Sequence, residues 1–209
     1  MPSGMHIGVT VAIVVAALSV PSVTSAQVRA ADLSGALTQL DLAVRSLPST
    51  GVQPRLRAAV DWLTTRAQAT DPASVSPEYV RSLQRAADLI RLQPGSSVLA
   101  DVADELDAKV EHCRQLGIGM GGSIEVAVST RQGGVAVGSW QVFYLLKIYE
   151  HVKDASANTF PRLSTPTEAR LDPGRYWLWA RDPATGRTSQ RALVRIVGQT
   201  KLQVDLPVQ

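Results

Sequence analysis

Apolar positions along this 209-residue chain recur with two different periods, and the change falls near residue 120. Before it, Leu33, Leu37, Leu40, Val44 and Leu47 stand three and four apart, which is one stripe of an amphipathic helix. Pro48 closes that helix, because the residue before a proline is pushed out of the α region. A second stripe starts near Pro54 with Leu56, Val60, Leu63 and Ala67. Ser76-Pro77-Glu78 is a start signal for a third helix: an N-cap, a proline in the first turn and an acid facing the dipole. Its stripe is Val80, Leu83, Ala87 and Ile90. Pro94-Gly95-Ser96-Ser97 ends it and opens a fourth, with Leu99, Val102, Leu106, Val110 and Cys113 inward and Gly117 as the stop. Four such helices with short connections pack as antiparallel neighbours.

Beyond a glycine-rich hinge at residues 118–122 the period becomes two. Ile124, Val126 and Val128 alternate with polar or small residues, and Arg131-Gln132-Gly133-Gly134 is a turn. Trp140, Val142 and Tyr144 then alternate with Gln141, Phe143 and Leu145. A loop is expected over residues 150–165, then a short strand near Ala169. Asp172-Pro173-Gly174 turns into a strand with Tyr176, Leu178 and Ala180 on one face and Trp177 and Trp179 on the other. Strands at 192–197 and 202–206 complete the pattern, which reads as an antiparallel β-sandwich. The fold class expected is therefore α+β: a helical domain at 27–117, the hinge, and a sandwich at 123–209.

The N-terminal 26 residues carry no Lys, Arg, Asp or Glu, and an apolar run from Ile7 to Val20 precedes Pro21 and the small residues Ser25 and Ala26. This predicts a secretory signal peptide over 1–26, cut after Ala26, too short for a comfortable membrane span. A periplasmic or secreted protein with no stable span after cleavage is expected. The abundance of Arg over Lys and of Ala suggests a bacterial envelope. Cys113 is the only cysteine, so no internal disulfide is possible. A formal charge of +3 is too small for a nucleic-acid binder.

The runs Gly-Gly-Val-Ala-Val-Gly-Ser-Trp-Gln-Val at 133–142, Leu-Asp-Pro-Gly-Arg-Tyr-Trp-Leu-Trp-Ala-Arg-Asp at 171–182 and the closing Val-Asp-Leu-Pro-Val resemble carboxypeptidase regulatory-like domains. These are prealbumin (transthyretin)-like β-sandwiches. The resemblance spans roughly residues 123–207 and does not reach the helices. Asp172 replaces the first proline of the family's Leu-Pro-Pro-Gly turn, and Trp140 stands where a small residue is usual. The resemblance implies a non-catalytic module for partner stabilisation, adhesion or carbohydrate contact. The enzymatic relatives, hydroxyisourate hydrolases, need a first-strand histidine and a C-terminal Tyr-Arg-Gly-Ser; residues 124–130 hold no histidine and the chain ends Leu-Pro-Val-Gln.

Catalytic chemistry finds little support. His112 and Cys113 are helical neighbours about 100° apart and do not face each other. Glu150, His151 and Asp154 are too few convergent ligands for zinc. Gly117-Ile118-Gly119-Met120-Gly121-Gly122 fits a dinucleotide fingerprint in letters only, since it follows a helix and precedes a strand. No enzyme, metal or cofactor is expected. The remaining signal is aromatic: Phe143, Leu145, Trp177 and Trp179, with His151 nearby in the loop, form a candidate surface for an envelope protein or a glycan. Either the helices pack over this face, or it stays open as a recognition platform.

Overall fold

The computed structural model describes residues 25–49 and 51–209, so the expected signal peptide lies almost wholly outside the described residues. Four helices come first: α1 (Ser25–Arg45), α2 (Gln53–Ala67), α3 (Pro77–Leu92) and α4 (Ser96–Leu116). The predicted stripes are the buried ones, Leu33, Leu37, Leu40 and Val44 on α1 and Leu56, Val60 and Leu63 on α2. Ser76 caps α3 by accepting from the Tyr79 N–H, and Gly117 ends α4 in the left-handed region. Among the described residues no helix is long and apolar enough to cross a membrane.

Eight strands follow: β1 (Ile124–Gln132), β2 (Val135–Val137), β3 (Gln141–Leu146), β4 (Asn158–Thr159), β5 (Thr167–Leu171), β6 (Gly174–Arg181), β7 (Ala192–Ile196) and β8 (Lys201–Pro207). One sheet joins β2, β5 and β8 to β1; the other runs β4-β3-β6-β7. Ile124, Val126 and Val128 of the first sheet and Val142, Leu178 and Ala180 of the second are fully buried and share one core with the helices. The protein is an α+β fold, helices first and sandwich second.

Two features depart from the expectation. β1 pairs with β8 in parallel, Val126 opposite Leu202, while the other strand pairs are antiparallel. A parallel pair needs a long connection, and the whole domain lies between these two strands. The 150–165 segment is not one open loop: a short 3-10 helix (Lys147–His151) opens it, and β4 pairs with Phe143 and Tyr144. Trp140 is half-buried and packs against the core.

The glycine-rich segment is strapped to the helices. Arg66 donates to the Ile118 carbonyl through Nε at 3.1 Å and a terminal nitrogen at 2.7 Å. The Thr70 hydroxyl accepts from the Met120 N–H at 2.9 Å, and the Met120 side chain is buried. Side-chain and backbone bonds of this kind hold a chain that has no regular structure of its own.

Candidate functional site

The sheet register decides which side chains share the outer face of the β4-β3-β6-β7 sheet. Phe143 lies opposite Trp179 and Leu145 opposite Trp177, while Trp177 also lies opposite Leu193 of β7. Directly opposed residues point the same way. Two apolar rows therefore cross the strands, Phe143–Trp179 and Leu145–Trp177–Leu193. The alternation on β6 is as expected: Tyr176, Leu178 and Ala180 are buried inside, and Trp177 and Trp179 are half-buried outside.

The tryptophans are covered by side chains of their own domain more than by helices. Phe143 stacks on Trp179 with ring centroids 5.7 Å apart and planes within 11°. The Arg191 guanidinium lies 4.7 Å from the Trp179 centroid. Phe143 comes from the β3 flank of β6 and Arg191 precedes β7 on the other flank, so Trp179 is contacted from both neighbouring strands. The Lys147 ammonium lies 5.2 Å from the Trp177 ring. Contacts of these two kinds each contribute about 0.5–1 kcal/mol where solvent reaches them. Glu150 ties the cover together, pairing with Lys147 and lying 3.8 Å from Arg191. Burial alone would raise the Glu150 pKa; the Lys147 ammonium, the Trp177 indole and the Arg191 charge outweigh it and hold the carboxyl below its ordinary value. Trp177 Nε1 is buried beside that carboxylate without a well-aligned hydrogen bond. Leu193 remains 42% exposed at the edge of the patch.

The helices meet this sheet at its end. From Asp101 to Gln115 α4 advances about 21 Å, enough to pass the ends of three strands about 5 Å apart and reach the turn beyond. It meets β3's continuation first: Asp101 accepts from His151 Nε2 at 2.8 Å and lies 3.5 Å from Lys147. It meets the start of β6 next, where Arg175 pairs with Asp104 and lies 3.5 Å from Asp101. It meets β7 and its turn last, where Arg195 pairs with Glu111 at 2.5 Å and the Gly198 N–H donates to His112 Nδ1 at 3.1 Å. At the centre Glu105 and Lys109 form a fully buried ion pair, 2.8 Å apart. Lys109 also donates to the Pro173 carbonyl at 3.0 Å, and Glu105 accepts from the Arg175 N–H at 3.1 Å. Gly174 permits this approach, since a Cβ there would sit 2.8 Å from a Glu105 oxygen and 3.0 Å from Leu146.

This geometry separates the expected site residues. Phe143, Leu145, Trp177 and Trp179 are brought together. His151 is tied to the helical half: its ring is drawn to Asp101 of α4, which also lies 3.5 Å from Lys147, and its carbonyl accepts from Gln93. The acidic residues of α4 find their cations at the strand ends, and Asp101 reaches the Lys147 that lies over Trp177. Glu150 serves Lys147 and Arg191 and is not paired with His151. His112 is buried, and burial lowers its pKa against the opposing effect of a bond to the Gly122 backbone. Burial pushes the Cys113 thiol up, which suits a packed side chain and not a nucleophile. Sequence reasoning missed Glu105, Lys109 and the tyrosines behind them. The recurrence of Asp101, Asp104, Glu105, Ala108 and His112 along one side of α4 is the signal that marks this stripe.

No protein-family model matches this chain, and no curated protein sequence matches it.

Proposed function

We propose that the protein is an exported, non-enzymatic interaction module of the bacterial cell envelope, whose sandwich presents Phe143, Trp177, Trp179 and Leu193 to a protein partner, with Leu145 buried beneath them. The observation that carries this reading is the cluster of half-buried Phe143, Trp177 and Trp179 on neighbouring strands, extended by the exposed Leu193 and rimmed by Arg191 and Lys147. Aromatic residues with arginine are the composition favoured at the centres of protein interfaces. A partner fitting it has an apolar centre and carboxylates at its margin. The resemblance of residues 123–207 to carboxypeptidase regulatory-like domains, which implies a non-catalytic module, agrees with it. Sugar stacking on the two tryptophans draws less support, because Phe143 and Arg191 already stack against Trp179.

The test is site-specific photo-crosslinking in producing cells. A benzophenone side chain is placed at Leu193, in this cluster, or at Leu92, which is 77% exposed on the helical half. A discrete protein adduct at Leu193 that is absent at Leu92 and lost with Trp179→Ala supports the reading. No adduct at Leu193, or the same adducts at both positions, refutes it.

A further inference from the structure

A second concave region lies away from the tryptophans, between the helices and the sandwich. A cavity of about 430 Å³ opens between the start of α3, the middle of α4 and strands β3, β5 and β6. A second, of about 590 Å³, continues from it along the exposed side of α3 beneath residues 152–156. Both are lined by Arg81, Tyr149 and Asn158, so the two adjoin as parts of one grooved region. Each part alone falls within the size range of small-molecule sites.

The lining has a definite chemical character. Tyr144, Tyr149 and Tyr176 place three rings around the inner part, with Leu146 and Leu171 as its few aliphatic side chains. The Tyr176 hydroxyl donates to the Asp172 carbonyl at 3.1 Å. Those of Tyr144 and Tyr149 have no hydrogen-bond partner among the described residues, and both rings are only half-buried. Burial raises both phenols above their ordinary pKa, which keeps each as a donor. Lys109 closes the floor, and hydroxyls, an amide and guanidinium–carboxylate neighbours stand around the walls. In the inner part Arg81, Lys109 and Arg170 face Glu78 and Asp172; in the outer part Arg81, Arg85 and Lys153 face Asp88 and Asp154. Neither part carries the cationic excess that a phosphate or nucleotide site needs.

We infer that this groove binds a short neutral oligosaccharide, clamped between α3 on one side and the tyrosines of the sandwich on the other. A sugar ring offers an apolar C–H face to an aromatic ring and an edge of hydroxyls that both donate and accept. The groove supplies ring faces, free phenolic donors and mixed-sign side chains, with no dominant charge. A peptide would seek apolar anchor pockets, which the lining does not provide. The site is separate from the tryptophan face, so it stands or falls independently of the proposed protein interface.

The test uses the full chain, ¹⁵N-labelled, titrated with maltotriose, cellotriose and triacetylchitotriose while amide shifts are followed by NMR. The expected result is saturable shifts at Tyr149, Asn158 and the first turns of α3 for at least one of the three. Tyr149→Ala and Asn158→Ala weaken that binding by about tenfold or more. Tyr149→Phe, which keeps the ring, weakens it less, and thermal melts of all three variants check that they fold. Trp177→Phe/Trp179→Phe leaves it unchanged. Absence of saturable shifts up to about 10 mM of every probe overturns the inference. So do shifts centred on Trp177 and Trp179, shifts that survive Tyr149→Ala in a folded variant, or saturable binding of a tripeptide such as Ala-Lys-Ala in the groove with no response to the sugars.

Discussion

Replacing Lys109 by methionine tests how the two halves are held together. The substitution keeps the length of the side chain and removes only the ammonium. That ammonium lies 2.8 Å from Glu105, 3.0 Å from the Pro173 carbonyl and 4.4 Å from the centre of the Tyr79 ring, and all but 1% of the lysine side chain is out of solvent. Glu105 would be left as a buried carboxylate with one hydrogen bond, from the Arg175 N–H. Stranding one member of a buried pair costs about 3–5 kcal/mol. In a domain of this size each kcal/mol moves Tm by roughly 2–4 °C, so a fall of about 6–20 °C is expected. The assay is urea and thermal unfolding of wild type, Lys109→Met, Glu105→Gln and the double variant. Glu105→Gln/Lys109→Met removes the stranded charge while a side-chain oxygen still accepts from Arg175. It should recover at least half of the loss, giving a coupling well above the roughly 0.5 kcal/mol scatter of independent sites. A single-variant loss under about 1 kcal/mol, or simple additivity of the two singles, would refute the claim that this pair is desolvated and interdependent.

Gly174→Val should be as damaging, because its side chain would enter the space of Glu105 and Leu146; a variant with wild-type urea midpoint would show that α4 does not approach the sheet this closely. His112 predicts a pH effect of definite sign. Its folded pKa is depressed below the ordinary 6.5, so its contribution to stability is present above that value and is lost as pH falls through the folded pKa. Between about pH 7.5 and pH 5 wild type should therefore lose more stability than His112→Gln, measured by urea midpoints, and equal losses would contradict the burial of a neutral imidazole. Arg191→Ala should uncover one face of Trp179 and increase acrylamide quenching of tryptophan fluorescence, an increase absent when Trp179→Phe is also present. Unchanged quenching would mean that the guanidinium does not shield the ring.

What could be read from the sequence and what could not divide along the range of the interactions. The four helices were legible because stripe, cap and stop are local: Leu33 to Val44 bury one side of α1, and Ser76 reaches only as far as Tyr79. The phase of β6 was legible for the same reason, since alternation alone separates Tyr176 from Trp177. Which strand lies beside β6 was not, because register depends on partners far away in the chain, here Phe143 and Leu193. The short helix at Lys147–His151 and the edge strand β4 were likewise hidden, each being formed against neighbours and not by its own periodicity.

The candidate surface shows the same limit at closer range. Four of the five residues named from the sequence share one face; the tie of His151 to Asp101, fifty positions away, was not legible. Glu105 and Lys109 were overlooked because a Glu–Lys pair four apart on a helix is the pattern of a solvent-exposed ion pair. What buries this one is Gly174, whose missing side chain lets α4 close on the sheet, and the Pro173 carbonyl, which receives the lysine. The Pro-Gly turn thus has two roles. It bends the chain into the tryptophan strand, and it forms the contact through which the helical half meets the sandwich. The groove and the tryptophan face draw on the same strands, one lined by the inward tyrosines of β3 and β6 and the other by their outward aromatics. One alternating pattern therefore supplies both surfaces, and a one-residue slip of β6 would exchange them.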